Sequence, residues 1–353
     1  MNYLLKSRTR WKRWLGPGLG ILCAMLLSAT LGAFLAISSA PTPLLKRALT
    51  PEEAAIFAPS GSFTGRGLLL PRLSRPVNIL VMGMSVLTSD VQNPPKSTEN
   101  LGYLAQVNSF KGLSDVLLLV RFDPQTEELT ILSIPRDTRV VTSTSGVIKI
   151  NATNVLGGPA VSTLAVSQLL FNLPIDRYVR VNVKGVEKLV DVLGGVTVDI
   201  PKDMKYTDEA QHLYIDLKAG RQHLNGEQTL QLLRFRNDEQ GDIGRIERQH
   251  MVMQALLQQK LNLLTLVRLP QILQVISSHI DSNLDGDELI ALSIFAINTD
   301  RQKVRTLTLP GEPNSNGRRE TSYWIPNENR IQEVVTQYFT QRSEKASFLV
   351  NYP

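Results

Sequence analysis

The chain has 353 residues, of which 42% are hydrophobic and 20% charged, a composition typical of a globular protein with one large domain or two ordinary ones. Its net charge of +6 is local, because the five basic residues between Lys6 and Arg13 leave only +1 for the rest of the chain. So small a charge argues against a nucleic-acid-binding surface, which needs a basic face on the folded part. The single cysteine, Cys23, excludes disulfide bonds within the chain.

An apolar segment without any charged residue follows the basic cluster and covers residues 15–37. It is long enough to cross the hydrocarbon core of a membrane, whereas the apolar region of a signal peptide has about 7–15 residues. Because positive charges stay on the cytoplasmic side, we expect a cytoplasmic tail at 1–14 and a transmembrane anchor helix at 15–37, with everything after it extracytoplasmic. A signal peptide removed near residues 38–40 is the alternative.

Residues 38–75 are rich in Pro, Ser and Ala and predict an extracytoplasmic linker with one short helix. This helix begins with a capping box formed by Thr50 and Glu53. Apolar runs without polar alternation then predict buried strands in a sheet covered on both faces. These runs are 77–84, 115–122 and 129–134, with a long loop at 86–112.

Strands and helices alternate in the rest of the chain, which indicates a single α/β domain at 76–342, followed by a tail at 343–353. We expect helices at 157–171, 185–193, 225–234, 243–262, 268–278, 286–298 and 328–339. We expect strands at 178–183, 196–200, 213–217 and 303–308.

Residues 234–249 combine four arginines with two glycines ahead of an apolar helix. Viewed down the axis of that helix, Gln249 lies roughly 40° from Arg245, and Arg248 lies roughly 60° from Arg245 in the opposite direction. Asp242 is a candidate N-cap, while Arg234 and Arg236 arrive from the preceding element. Helix N-termini favour anions and guanidinium groups match phosphate oxygens, which indicates a phosphate or pyrophosphate clamp. A solvated helix with Arg–Glu pairs is the other interpretation that the spacing allows.

Charged residues also stand at predicted strand ends, with Asp115 opening one strand and Arg136 and Asp137 ending another. Sites in α/β sheets are built at such ends. An acid for Mg²⁺ and arginines for phosphate oxygens are the minimum for phosphoryl transfer, although Arg136 could equally pair with Asp137 as a surface ion pair. The four histidines lack ligand-like spacing, and the chain contains neither a Gly-x-x-x-x-Gly-Lys loop nor a Ser-His-Asp arrangement.

The motifs together resemble the LytR-CpsA-Psr family from Asn78 to about Gln259, with a looser tail at 322–325. The matching segments are Asp115, 134–138, 149–152, 174–182, 190–195, 215–220, 223–226 and 234–249. The resemblance implies a mixed central sheet with helices on both faces, and a membrane-anchored extracytoplasmic phosphotransferase. Such enzymes move a glycopolymer from an undecaprenyl-pyrophosphate carrier to peptidoglycan.

The resemblance also implies roles for individual residues. Asp115 would face Mg²⁺, with Mn²⁺ as the alternative ion, and is the candidate base for the acceptor hydroxyl. Asp137 and Asp242 would support the site, and Gln249 would order the arginines beside the pyrophosphate. The arginines that would contact the pyrophosphate are Arg136, Arg234, Arg236, Arg245 and Arg248, of which Arg136 and Arg245 are also candidate catalytic residues.

Two positions depart from the family pattern. Ser85 stands where many members have an aspartate of the metal site, and Leu113 stands where an arginine is common. A serine hydroxyl can bind Mg²⁺ but adds no negative charge, so the metal affinity should fall. A member that binds polyprenyl phosphate or pyrophosphate lipids without turnover is therefore the first alternative. A transcriptional regulator is the second, which the near-neutral outer domain opposes.

Overall fold

The computed structural model of the protein describes residues 49–58, 63–64, 71–84, 110–209, 213–235, 279–314 and 322–340, and short stretches between 244 and 256. The helices are α1 (Pro51–Ala54), α2 (Thr153–Leu169), α3 (Val183–Val192), α4 (Gly226–Arg234), α5 (Gly286–Asn298) and α6 (Glu328–Tyr338). The first eight strands are β1 (Phe63–Thr64), β2 (Arg72–Leu73), β3 (Val77–Met84), β4 (Ser114–Asp123), β5 (Glu128–Ser133), β6 (Arg139–Thr142), β7 (Gly146–Lys149) and β8 (Arg177–Val181). The remaining strands are β9 (Val196–Ile200), β10 (Met204–Asp208), β11 (Leu213–Leu217), β12 (Gly220–Leu224), β13 (Ile280–Ser282), β14 (Val304–Thr308), β15 (Gly311–Pro313) and β16 (Trp324–Pro326).

The central sheet has six strands in the order β13-β8-β3-β4-β5-β14. Strand β8 is parallel to β3 and β14 is parallel to β5, whereas β4 is antiparallel to both of its neighbours and β13 is antiparallel to β8. The carboxyl ends of β3, β5, β8 and β14 therefore meet at one edge of the sheet, together with the amino end of β4. That edge is where a site is expected in a sheet of this kind.

Helices cover both faces of the central sheet. On one face, Leu80 and Leu119 pack in one buried cluster with Val166 of α2 and Val335 of α6. On the opposite face, the apolar residues of β3, β4 and β5 pack against α5, which contributes Leu292 and Phe295. Burial on both sides explains why these strands lack polar alternation. The predicted α/β fold with a mixed, doubly covered sheet is confirmed.

A smaller second core lies around α3 and α4 and the antiparallel pairs β9–β12 and β10–β11. Val190 of α3 and Leu232 of α4 are fully buried in it. Asn225 begins α4 as an N-cap, since its side chain accepts a hydrogen bond from the Gln228 amide and forms a capping box with it. This confirms the predicted start of the helix that leads to Arg234.

Local signals located most elements to within one or two residues, and the main departures involve glycine and edge strands. The helix expected from Gly157 begins earlier, at Thr153, and is broken at Gly157 and Gly158, where Gly158 has φ 67°. Nine short strands within the described ranges have no counterpart in the prediction, because short strands carry weak periodicity: β1, β2, β6, β7, β10, β12, β13, β15 and β16. The Thr50 capping box is present as predicted.

The segment predicted as a linker contributes to the folded domain, since Phe57 is buried in the main cluster and its ring lies 5.4 Å from that of Tyr178. The predicted anchor at 15–37 and the predicted helix at 268–278 lie outside the described residues. None of the helices within the described ranges is long and apolar enough to cross a membrane.

Candidate functional site

A tight turn directly after β5 carries Arg136 and Asp137 at the carboxyl edge of the sheet. Thr138 closes this turn, since its backbone amide and its hydroxyl both donate to the Pro135 carbonyl, at 3.0 and 2.6 Å. Ile134 keeps the strand in register up to the turn by donating to the Leu117 carbonyl at 2.9 Å. The strand therefore delivers Arg136 to the edge in a defined position.

Three further backbone hydrogen bonds hold the same turn from outside. Asn151 and Ile150 donate their amides to the carbonyls of Arg136 and Thr138, at 3.2 and 2.8 Å. Trp324, at the start of β16, donates its amide to the Asp137 carbonyl at 2.9 Å. The turn is thus fixed by the segment before α2 and by the C-terminal hairpin β15–β16, which limits how far Arg136 and Asp137 can move.

Four charged side chains meet at this turn, and we call them the edge cluster: Asp115, Arg136, Asp137 and Lys149. Arg136 Nη1 donates to Asp115 Oδ1 at 3.0 Å, and Arg136 Nε lies 3.6 Å from Asp137 Oδ2. Lys149 Nζ lies 2.7 Å from Asp137 Oδ1. Two cations and two carboxylates therefore alternate along the cluster, so that their charges balance.

The side chains of the edge cluster are only partly buried, with exposed fractions of 19% to 29%. Partial burial strengthens electrostatic contacts relative to those in open water, yet leaves the groups accessible to a ligand. An arginine in this setting can exchange a carboxylate for the oxygens of a phosphate, which match its forked donors. The geometry suits the binding of an anion beside a carboxylate that can accept a proton.

The amino end of β4, which carries Asp115, is held by Asn154 of α2. Asn154 Nδ2 donates to the carbonyls of Phe110 and Gly112 at 2.9 and 2.7 Å, and its Oδ1 accepts from Arg180 Nη1 at 3.2 Å. Both Asn154 and Arg180 are buried. Because buried hydrogen bonds of this kind are costly to break, they fix the chain two residues before β4 begins.

No group of three or more His, Cys, Asp or Glu within the described residues is arranged to hold a metal ion. Asp115 on β4 and Asp137 in the turn nevertheless both offer carboxylate oxygens beside Arg136, a cation that can hold phosphate. This donor set fits Mg²⁺ that arrives with substrate phosphates, since this ion is commonly bound through one or two carboxylates plus phosphate oxygens. A dedicated all-protein metal cage does not fit these residues.

Two more of the predicted arginines, Arg234 and Arg248, are described and lie beside Phe235 of the smaller core. Arg234 lies in the last turn of α4. Arg248 is 4% exposed, donates from Nη2 to the Phe235 carbonyl at 2.7 Å, and lies with its guanidinium 5.6 Å from the centre of the Phe235 ring. Arg248 therefore ties the helical segment that contains it to the end of α4. Its contact with pyrophosphate stays a prediction.

The structure brings together Asp115, Arg136 and Asp137, and it adds Lys149, which the sequence reasoning did not select as a site residue. Lys149 stands in one of the segments that resemble the family, and this was the only signal for it. The other predicted site residues lie outside the described residues: Ser85, Arg236, Asp242, Arg245 and Gln249.

Comparison with known proteins gives consistent matches. The profile of the LytR_cpsA_psr family matches residues 58–340. TagV of Bacillus subtilis (strain 168), a polyisoprenyl-teichoic acid–peptidoglycan teichoic acid transferase, is 33% identical over 231 residues, which are 64% of this chain and 58% of TagV. TagU of Oceanobacillus iheyensis, with the same descriptive name, is 28% identical over 347 residues, 94% of each chain. This chain thus spans less than two thirds of TagV and nearly all of TagU.

The crystal structure of Bacillus subtilis TagV has the same fold, with a TM-score of 0.60 and 29% sequence identity over 79% of this chain and 99% of that one. The family match covers the central sheet, the edge cluster and the second core together. The chain therefore belongs to the LytR_cpsA_psr family.

Proposed function

We propose that the protein is a membrane-anchored extracytoplasmic phosphotransferase that moves a glycopolymer from an undecaprenyl-pyrophosphate carrier to peptidoglycan. The observation that carries this proposal is the edge cluster, a partly exposed arginine between two carboxylates at the carboxyl edge of the sheet. The names of TagV and TagU support it, since they describe a polyisoprenyl-linked polymer as donor and peptidoglycan as acceptor. Nucleic acid is not a partner in this proposal.

In the proposed reaction, Arg136 contacts the pyrophosphate of the donor. Its guanidinium neutralises the negative charge that shifts between the phosphate oxygens during transfer. The phosphate replaces Asp115 as the partner of Arg136, and the freed Asp115 carboxylate accepts the proton of the acceptor hydroxyl. The hydroxyl oxygen forms a bond to the phosphorus that carries the glycan, the bond from that phosphorus to the bridging oxygen breaks, and undecaprenyl phosphate leaves. Positioning and charge neutralisation are the main contributions of a protein to phosphoryl transfer.

The remaining predicted residues complete the same proposal. Arg234, Arg236, Arg245 and Arg248 also contact the pyrophosphate, while Asp242 and Gln249 order them. Asp115 and Ser85 would hold Mg²⁺ or Mn²⁺ together with phosphate oxygens of the donor, and the ion would supply further charge neutralisation. Asp137 keeps Arg136 oriented and is itself balanced by Lys149.

The test is Arg136→Ala in the full chain, assayed with a polyprenyl-pyrophosphate-linked oligosaccharide and peptidoglycan fragments, with released polyprenyl phosphate measured by mass spectrometry. We expect kcat to fall about 10²- to 10³-fold, as when a preorganised donor to a developing charge is removed. Arg305→Ala is the matched control, since Arg305 lies near the amino end of β14, at the opposite edge of the sheet. Normal transfer by Arg136→Ala would sink the proposal.

A second candidate function is binding of polyprenyl phosphate lipids without turnover. Ser85 and Leu113 favour it, together with the absence of a three-acid group within the described residues. Mass spectrometry of lipid that co-purifies with the full chain, with and without Mg²⁺, separates the two functions. Bound lipid with no turnover that depends on Mg²⁺ would favour binding alone.

A further inference from the structure

Exposed apolar side chains concentrate around the hairpin β6–β7, next to the edge cluster. Among the described residues seven large hydrophobic side chains are exposed, and four of them are Val141, Val147, Val155 and Leu156. Val141 is 63% exposed and Val147 43%. Single exposed apolar residues are ordinary, whereas several on one hairpin and on the helix that follows it indicate a contact surface.

The register of the hairpin places these valines on one face. Val141 is paired with Val147 across the two strands, and Arg139 with Lys149. Side chains alternate along a strand, so these four share the outward face, while Val140 and Ile148 point to the main core, where Val140 is buried. Val155 and Leu156 are exposed on the first turn of α2, which follows β7 after a single 3-10 turn.

The hairpin and α2 themselves carry basic charged residues only. From Thr138 to Ile175 the sequence contains no acidic residue, and its only charged residues are Arg139 and Lys149. Arg139 is exposed on the outward face and forms no ion pair with another described residue. Aliphatic side chains next to an exposed arginine complement a surface that has both acyl chains and anionic headgroups.

We propose that the docking surface, formed by Arg139, Val141, Val147, Val155 and Leu156, rests on a lipid bilayer that contains anionic lipids. The outward face of β6–β7 lies along the interface, with the valines at the boundary of headgroups and acyl chains. Arg139 reaches the lipid phosphates along its aliphatic stem. A partner protein is a poorer match, because the polar turn 143–145 between the two valines carries no charge that would select a specific partner.

The consequence is that the edge cluster faces the membrane. Lys149 belongs both to the outward face of the hairpin and to the edge cluster, where it contacts Asp137 at 2.7 Å. A bilayer in contact with the hairpin therefore lies beside Arg136. This inference goes beyond the proposed reaction, because the surface can bind the bilayer with or without turnover.

The experiment uses the full chain in a Cys23→Ser background with a single reporter cysteine, Val141→Cys, labelled with bimane. The protein is reconstituted into phosphatidylcholine–phosphatidylglycerol vesicles that contain a doxyl-labelled quencher lipid. The matched control is Tyr214→Cys, because Tyr214 is 55% exposed on a different antiparallel pair, β10–β11. We expect a loss of fluorescence at position 141 that is several-fold larger than at position 214, and smaller when phosphatidylglycerol is omitted.

A second variant distinguishes docking of the hairpin on the bilayer from attachment of the chain through its predicted anchor alone. Adding Arg139→Gln and Val147→Ser to the Val141→Cys chain should reduce the quenching several-fold while the unfolding midpoint stays the same, since both side chains are exposed. Equal quenching at positions 141 and 214, or none at 141, overturns the inference, as does quenching that the two substitutions leave unchanged. The measurement needs no donor, so its outcome is independent of transfer activity.

Discussion

Two groups of charged residues in this protein differ in burial, and the difference separates a site from a scaffold. The edge cluster around Arg136 leaves about a fifth to a third of each side chain exposed. The ion pairs Arg177–Glu288 and Arg180–Asp281 leave only 4% to 7%. Both groups join β-strands to neighbouring segments, yet only the first can exchange its partners for a ligand without opening the core.

The buried pairs are saturated by their surroundings. Arg177 donates from Nε and Nη2 to both oxygens of Glu288 at 2.6 to 3.0 Å, and from Nη1 to the carbonyls of Asp176 and Ala58. Burial lowers the pKa of Arg177, but the hydrogen bond and charge of Glu288 raise it together with the charges of Asp176 and Asp285, so the net shift is upward. These hydrogen bonds keep the pair closed and fix β8 against the start of α5.

The largest expected effect comes from Glu288→Ala, which leaves Arg177 buried without its main partner. We expect the free energy of unfolding to fall by about 3–5 kcal/mol, measured by urea denaturation. The control is Glu128→Ala, because Glu128 pairs with Arg305 at the surface, and its loss should cost less than about 1 kcal/mol. Replacing both partners, Arg177→Met with Glu288→Leu, should recover much of the loss. Similar values for the two single variants would erase the contrast between buried and exposed pairs.

The next effect concerns function rather than stability. Arg136→Lys keeps the charge of the edge cluster but removes the forked donors, so kcat/KM for transfer should fall about 10- to 100-fold, the equivalent of about 1.5–3 kcal/mol for one hydrogen bond to a charged group. The unfolding midpoint should stay close to that of the parent chain. A large loss of stability with unchanged transfer would instead show that Arg136 has a structural role, like the buried ion pairs.

A smaller effect is expected from Lys149→Met, which removes the counter-charge of Asp137 while keeping the aliphatic stem. We expect kcat/KM to fall about 5- to 10-fold, or roughly 1–1.4 kcal/mol, because Asp137 then draws Arg136 away from the phosphate. Steady-state kinetics at two salt concentrations measure it. Unchanged kinetics would limit the site to Asp115, Arg136 and Asp137.

The smallest expected effect is a pH dependence of the stability through the partly buried His279. Burial, and then the charges of Lys184 and Lys188, lower the pKa of His279 from its ordinary value of 6.5, against an opposing contribution from Glu187. Below pH 6.5 the unfolded chain binds more protons at this position than the folded one, so stability is complete above that pH and declines as the pH falls. In urea denaturation, the free energy of unfolding of His279→Gln should fall less steeply with decreasing pH than that of the parent chain. The pH-dependent part of the difference should vanish at pH 8.

Much of the fold follows from local sequence signals. Asn225 and Thr50 cap the helices that their spacing predicts, and the apolar runs of β3, β4 and β5 lie in the doubly covered sheet that their lack of alternation predicts. The hairpin β6–β7 was missed because its alternation is short and its turn is polar, so that nothing local distinguishes it from a loop.

The candidate site was predictable only in part. Charged residues at the ends of buried strands identified Asp115, Arg136 and Asp137, and the resemblance assigned their roles. Lys149 was missed as a member of the edge cluster because its contact with Asp137 depends on how β7 folds back beside the turn. Local patterns carry no information about such a return of the chain.

The sequence by itself determined most helices, the buried strands and the placement of Arg136 at a strand end, because capping and periodicity act over a few residues. Its motifs also indicated the family. Only the tertiary structure decided which charges meet. Arg136 and Asp115 are 21 residues apart, and Arg177 and Glu288 are 111 apart. It also decided that the edge cluster is partly exposed while the other pairs are buried. Burial depends on which elements pack above a side chain, and that is fixed when the sheet and its covering helices assemble.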